Sequence, residues 1–147
     1  MSPEPVVEPL VDVLVQTTFR ITTALIRVGA EHDLSLTQLR VLGILRDHRV
    51  RVTELAAHLG LDKSTMSGLI DRAEKRGLVR RERNAEDRRA VDVMIAPAGL
   101  ALAETAYREV TQAVSAETGR LDPAQADELA GLLRIMLSAP QAVVQRP

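Results

Sequence analysis

The sequence predicts a mainly helical fold of six helices with one two-stranded β-hairpin, within a single domain spanning 1–147. Three observations point there. Hydrophobic residues make up 46% of the 147 residues, yet Phe19 and Tyr107 are the only aromatics. A core of Leu, Val, Ile and Ala suits packed helices, whereas a sheet-based fold wants more aromatic and β-branched side chains. Second, apolar residues recur at three- and four-residue steps along most of the chain. Third, one region alone breaks that period: two strand-like arms around a polar tip, between Leu78 and Ile95. The length itself favours one domain.

The elements follow in order. A first helix is expected from about Val6 to Ala30, with Val7, Val11, Leu14, Ile21, Leu25 and Val28 in one stripe. Val6, Leu10 and Val13 widen it on one side, and Val15, Phe19 and Ile26 on the other. A helix on one core needs a stripe of only about 100°, so this one is expected to meet two partners, one of them a second subunit. A second helix follows Leu34-Ser35 and places Leu36, Leu39, Leu42 and Leu45 on one face; the loop Asp47–Arg51 ends it. A short third helix is expected from Thr53, an N-cap residue type, with Leu55, Ala56 and Leu59 inward and Gly60 as its stop. Asp62 caps a fourth helix, Lys63 to about Arg76, closed by Gly77. The hairpin arms are Leu78–Arg83 and Ala90–Ile95, with Val91, Val93 and Ile95 on one side and Asp92 and Met94 on the other. Pro97 opens a fifth helix to about Thr118, lined by Leu100, Ala103, Tyr107, Val110 and Val114. Asp122-Pro123-Ala124-Gln125 opens the sixth, which is expected to bury Leu129, Leu132, Leu133 and Met136; Pro140 onward reads as a frayed tail.

Charge is unevenly divided. The net charge of −1 hides a middle, residues 40–90, with thirteen Lys/Arg against eight Asp/Glu, or +5, while the remainder carries −6. A basic middle between acidic flanks fits an anionic partner; on charge alone, an Arg-rich solvated surface fits equally. The absence of Cys excludes a disulfide framework, a thiolate metal site and a cysteine redox switch. Met1–Pro9 has three prolines and no base, unlike a signal peptide. Asp12, Arg20 and Arg27 within the most apolar run argue against a membrane span. The expected location is the cytoplasm.

The third and fourth helices, joined by the tight turn Gly60-Leu61, form a helix-turn-helix candidate. With Met66 facing inward, Leu69, Ile70 and Ala73 share its side at 100° per residue, and Ser64, Ser67, Gly68, Asp71 and Lys75 fall opposite. That outer face is small and hydroxylated at its start and charged further along, with Arg72 and Lys75. A helix in the major groove needs small donors near its N-terminus for base edges and flanking cations for phosphates. The hairpin tip carries Arg83, Arg88 and Arg89, with Asp87 two residues before Arg89. A cation on a projecting hairpin fits a narrow minor groove, and an Asp–Arg pair would fix its direction. An ordinary amphipathic helix and a surface ion pair worth almost nothing remain the plain alternatives at this level.

Two stretches, VTELAAHLGLDKSTMSGLIDRAEKRGLVRR (Val52–Arg81) and DRRAVDVMIAPAG (Asp87–Gly99), resemble the MarR family of winged helix-turn-helix transcriptional regulators. The long terminal helices and their order extend the likeness over nearly the whole chain. The resemblance implies an α+β winged helix, with a DNA-binding lobe at 34–97 and dimerisation helices at 6–33 and 98–138. It implies that Lys63, Ser64, Thr65 and Ser67 open a recognition helix, that Arg89 is the wing arginine of the minor groove, and that Asp87 orients it. It also implies a homodimer on a near-palindromic operator in double-stranded DNA, its half-sites roughly 34 Å apart, and a ligand-responsive repressor released by a small, frequently aromatic or anionic ligand. Two residues depart from the family pattern. Gly68 stands where the family often has Arg or another long side chain, which puts one base contact in question. Ala96 stands where Thr usually precedes Pro, which removes a helix cap worth ~1 kcal/mol.

Other classes fare worse. His32, His48 and His58 lie far apart in sequence with no metal-ligand spacing, so neither a metal site nor a metal-sensing regulator is favoured. His58, Ser64 and Asp62 make a triad only on paper, without a nucleophile elbow, and no Gly-rich phosphate loop is present. No catalytic residue, metal or cofactor is expected. A helical dimer acting as a protein-interaction adaptor remains the rival; a basic centre argues against it.

Overall fold

The computed structural model describes residues 8–138. In chain order these form α1 (Glu8–Glu31), α2 (Leu36–Leu45), β1 (Val50–Arg51), α3 (Val52–Leu59), α4 (Lys63–Lys75), β2 (Val79–Arg83), β3 (Val91–Ile95), α5 (Pro97–Ala113), α6 (Ser115–Thr118) and α7 (Pro123–Leu137). The first turn expected at Val6 and Val7, and the tail expected from Pro140, lie outside the described residues. The core is aliphatic, as the shortage of aromatics requires. Leu42 and Leu45 of α2, Leu55 of α3, Met66 and Ile70 of α4, Val79 of β2 and Val93 of β3 meet in one cluster. α1 packs on α2 and α5, and its C-terminal half supplies the buried Ala24 and Val28.

Helix ends set the directions of the chain. The Ser35 hydroxyl accepts the Gln38 N–H at 3.1 Å while the Gln38 side chain accepts the Ser35 N–H at 2.8 Å, a closed capping box that starts α2. Asp122 and Gln125 do the same for α7, at 2.8 and 3.1 Å. α4 ends in a Schellman turn: Gly77 adopts φ 74°, its N–H reaches Glu74 O, and the Leu78 N–H reaches Ala73 O, both at 2.9 Å. Only glycine takes that left-handed conformation without a side-chain penalty. α1 is closed in the same way at Asp33, φ 55°, where the Leu34 N–H bonds Gly29 O at 2.8 Å. Arg76, just past α4, donates to His32 O and Asp33 O at 2.9 Å each. It thereby ties the end of α4 to the end of α1.

Several sequence expectations change. The described residues hold seven helices and a three-stranded antiparallel sheet, order β1-β3-β2. β1 lies in the expected loop and pairs Val50 with Val93 and Arg51 with Asp92; two residues are too few to show any period. The fifth helix divides at Val114, whose ψ of 4° leaves the helical region. α3 starts at Val52, with Arg51 at its N-cap and no side-chain cap, so Thr53 lies inside the first turn. Leu36 is exposed, and Val41 takes its place inside. Tyr107, expected inside, is 61% exposed, while Ala106 is buried; its ring instead carries the Arg46 guanidinium, 5.0 Å from the ring centre. In the hairpin, Val91 is exposed and Asp92 is buried.

The largest difference concerns the terminal helices. Among the described residues α7 buries none, and Leu129, Leu132 and Met136, expected inside, are exposed, with Leu133 half-buried. On α1, Val11, Val15, Phe19, Ile21 and Ile26 are also exposed, Phe19 at 68%. By length and mean hydropathy (1.2), Pro9–Glu31 meets the measure of a membrane span. Its Asp12, Arg20 and Arg27, and the burial of Ala24 and Val28 in the core, instead fit a helix packed on a protein core.

Gly99 marks the tightest approach of α5 to the sheet. A β-carbon there would lie 2.0 Å from the Leu78 carbonyl oxygen, whereas one at Gly43 would meet nothing within 4 Å. Gly99→Ala is therefore expected to destabilise by about 1–3 kcal/mol, and Gly43→Ala to stabilise by up to about 1 kcal/mol through helix propensity. Denaturant midpoints of the two variants test the contrast.

Candidate nucleic-acid interface

Asp62 starts α4: its carboxylate accepts the Thr65 N–H at 2.7 Å, and that bond, with the Thr65 hydroxyl, holds its pKa below the ordinary value. Met66 and Ile70 then point into the core with Leu69 and Ala73 partly buried, as the helical wheel requires. Lys63, Ser64, Thr65, Arg72 and Lys75 are left exposed, and Ser67 and Gly68 half-buried. A β-carbon at Gly68 would lie 3.5 Å from Arg72 Nη1, so the Arg72 side chain runs back one turn over the glycine, the direction helical side chains favour. Asp71 and Glu74 both receive Arg81 of β2, the latter at 3.2 Å. This brace joins α4 to the hairpin.

The hairpin projects beside α4. Between them lies a cleft of about 650 Å³. Lys63 and Ser67 line it from α4, Arg83, Asp87 and Arg89 from the hairpin, and Arg51 and Thr53 from the start of α3. Five of the residues singled out from sequence thus meet in one cleft. Ser64, Thr65, Gly68, Arg72, Lys75 and Arg88 are outside its lining; Arg88 is exposed at the tip. Asp87 does not form the expected side-chain pair with Arg89. Its Oδ1 accepts the Arg89 backbone N–H at 3.1 Å, and Oδ2 faces Arg51 at 3.8 Å. A short aspartate bonds the backbone two residues on more readily than it reaches a neighbouring side chain that points outward.

Sequence reasoning missed the polar group beneath the hairpin tip. Asp92, only 5% exposed, accepts Arg49 Nε at 2.9 Å and the Asn84 amide at 3.1 Å to each oxygen. Glu82 stands directly across the ladder from Asp92, a like-charge opposition that is unfavourable alone. Arg49 resolves it by reaching Glu82 as well, at 3.3 Å. An acid inside an otherwise apolar strand is a poor strand former; that misfit was the available signal. No buried side-chain nitrogen or oxygen lacks a partner among the described residues, and they hold no group of three His, Asp or Glu suited to a metal.

A short helix, a tight turn, a second helix with a polar outer face and an adjoining sheet with a projecting hairpin together make a winged helix-turn-helix. Residues 32–90, about two fifths of the chain, match the family model described as MarR family. Among curated relatives, an uncharacterised HTH-type transcriptional regulator of Bacillus subtilis, YfiV, is 41% identical over 64 residues, 43% of this chain and 40% of YfiV. The HTH-type transcriptional repressor YetL of the same organism is 33% identical over 78 residues, 51% of this chain and 47% of YetL. The chain therefore spans about half the length of the curated relatives it matches. Among solved structures, Bordetella bronchiseptica BpsR, described in a study of how 6-hydroxynicotinic acid regulates its DNA binding, superposes with a TM-score of 0.71 at 27% identity, covering 94% of this chain and 99% of BpsR. The relatives are regulators, a non-enzymatic class.

The Asn84 amide first, and Arg49 second, hold the Asp92 carboxyl below the usual carboxylate range. A lowered folded-state pKa gives stabilisation that is complete above the unfolded value of about 3.9 and is lost as pH falls through the lower folded value. Asp92→Asn is thus expected to lower the denaturant midpoint at pH 7 more than at pH 3. An equal loss at both values would remove Asp92 from the acid response.

Proposed function

We propose that the chain is a homodimeric, sequence-specific regulator of transcription that binds double-stranded DNA, acting as a ligand-responsive repressor on a near-palindromic operator in the cytoplasm. The observation that carries this reading is the shared cleft. Lys63 and Ser67 at the start of α4 and Arg83 and Arg89 of the hairpin line one concavity, the arrangement needed to place α4 in a major groove with the wing arginine in the adjoining minor groove. Residues 34–97 serve as the DNA-binding lobe. The regulated DNA binding of BpsR and the repressor role of YetL support the same reading.

Dimerisation is supported by the apolar residues that α1 and α7 leave exposed among the described residues. Segments 6–33 and 98–138 are the dimerisation helices in this reading, and a twofold pair presents two copies of α4 to one duplex. Ligand response is supported by a second concavity of about 160 Å³ between α1, α2 and α5, lined by Leu25, Leu39, Ala103 and Val110 with Arg46 and Tyr107. Apolar walls with one guanidinium and one phenol suit a small aromatic anion.

Four outcomes are expected. Arg89→Ala weakens duplex binding at matched salt by about 1–3 kcal/mol without changing the melting temperature; an unchanged gel-shift affinity would take Arg89 out of the interface. Ser64→Ala or Ser67→Ala alters preference among duplexes selected from a random pool more than it alters affinity for random DNA. Light scattering at micromolar concentration gives a dimer mass. Binding also weakens steeply with salt; a salt-insensitive contact would favour a protein-interaction adaptor instead.

A further inference from the structure

The wing tip, Asn84 to Arg89, is a loop of six residues with no apolar anchor, yet its backbone is tied down at every turn. The Asn84 N–H bonds Ala90 O at 2.9 Å, and the Ala90 N–H bonds Asp87 O at 3.0 Å. The Asn84 side-chain oxygen accepts two further backbone N–H groups, Glu86 at 2.9 Å and Asp87 at 3.0 Å. The other end of the same amide donates to both oxygens of the buried Asp92. Asp92 in turn is held by Arg49, ahead of β1.

We propose that Asn84 is the positioning residue of the wing, joining the buried Asp92–Arg49 pair to the backbone of the tip and so fixing where Arg89 points before DNA arrives. The inference rests on the DNA-binding reading above and deepens it. The amide is suited to this position because it must donate on one side and accept on the other. A carboxylate at 84 would still accept the Glu86 and Asp87 N–H groups but would set like charge against Asp92. An aliphatic side chain would leave Asp92 short of a donor and free both N–H groups. From Asn84 the order passes along the turn: Asp87, whose N–H Asn84 holds, accepts the Arg89 N–H at 3.1 Å. Arg89 itself touches neither Asn84 nor Asp92 in this scheme, so the effect on DNA is conveyed through the backbone.

Two measurements on the full-length chain test this. The first is trypsin cleavage after Arg88 and Arg89, followed by mass spectrometry without DNA. Asn84→Ala and Asn84→Asp are expected to raise the nicking rate about three- to tenfold, the factor that loss of one net hydrogen bond implies. The second is duplex affinity at fixed salt, expected to fall by a similar factor. The decisive variant is the exchange N84D/D92N, which restores a donor facing a carboxylate with the partners reversed. It is expected to bring nicking and affinity back toward the parent values, which a merely structural loss at either position would not do. Parent-like nicking in Asn84→Ala, or an exchange variant no better than Asn84→Asp, would overturn the proposal. Failure of the parent protein to bind any duplex would overturn the DNA-binding reading instead, and the nicking assay decides the positioning without it.

Discussion

The Leu78 peptide is the hinge pin on which the two halves of the structure are set. Its N–H closes the Schellman turn of α4 by bonding Ala73 O, and its carbonyl accepts the Ala96 N–H at 2.9 Å. The same carbonyl faces Gly99 at the first turn of α5, too close for any β-carbon between them. The main chain of one residue thus fixes α4 against β2, the end of β3 against β2, and α5 against both. The angle between α4 and the hairpin, and so the width of the cleft between them, follows from this meeting of main chains rather than from surface side chains.

Around that pin, charge is arranged to stiffen and not merely to decorate. The basic middle of the chain holds fewer free cations than its composition implies. Arg81 is consumed by Asp71 and Glu74, Arg49 by Asp92 and Glu82, and Arg76 by two carbonyls at the end of α1. Exposed pairs of this kind add little to stability singly. Their effect here is geometric, because each joins two different elements of the fold. Lys63, Arg72, Arg83 and Arg89, which enter no ion pair recorded among the described residues, are then presented on a braced surface. Arginines of identical type therefore divide into internal struts and outward-facing groups by where acids lie opposite them in the fold.

Much of this was legible beforehand. The helical period located α1 to α4 and α7, Gly60 and Gly77 marked true helix ends, and Asp62 and Asp122 were real caps. Each of those signals is local, decided by a residue and its neighbours within a turn. What escaped was non-local. β1 exists only because Val93 and Asp92 lie alongside it. Tyr107 is outside because the small Ala103 and Ala106 take the inward positions on α5. Asp92 is inside because Arg49, 43 residues away, satisfies it. The apolar residues of α7 carry an inward pattern that nothing among the described residues answers. A sequence pattern reveals that such a face needs cover, not whose surface supplies it. Among the candidate site residues, wheel geometry separated the inward from the outward positions of α4, while the Asp87 to Arg89 contact needed the actual backbone of the turn.

Arg76 gives the molecule a mechanical property. Its two bonds to the carbonyls of His32 and Asp33 pin the tail of α4 to the tail of the longest helix. The thirteen residues of α4 make a rod of roughly 20 Å, with the pinned end as fulcrum and Lys63 at the far tip. A small tilt imposed on the long helix is amplified along that lever arm, so a few degrees of rotation at one end become an ångström or so of travel (roughly, for a rigid rod of this length) where Lys63 and Ser64 stand.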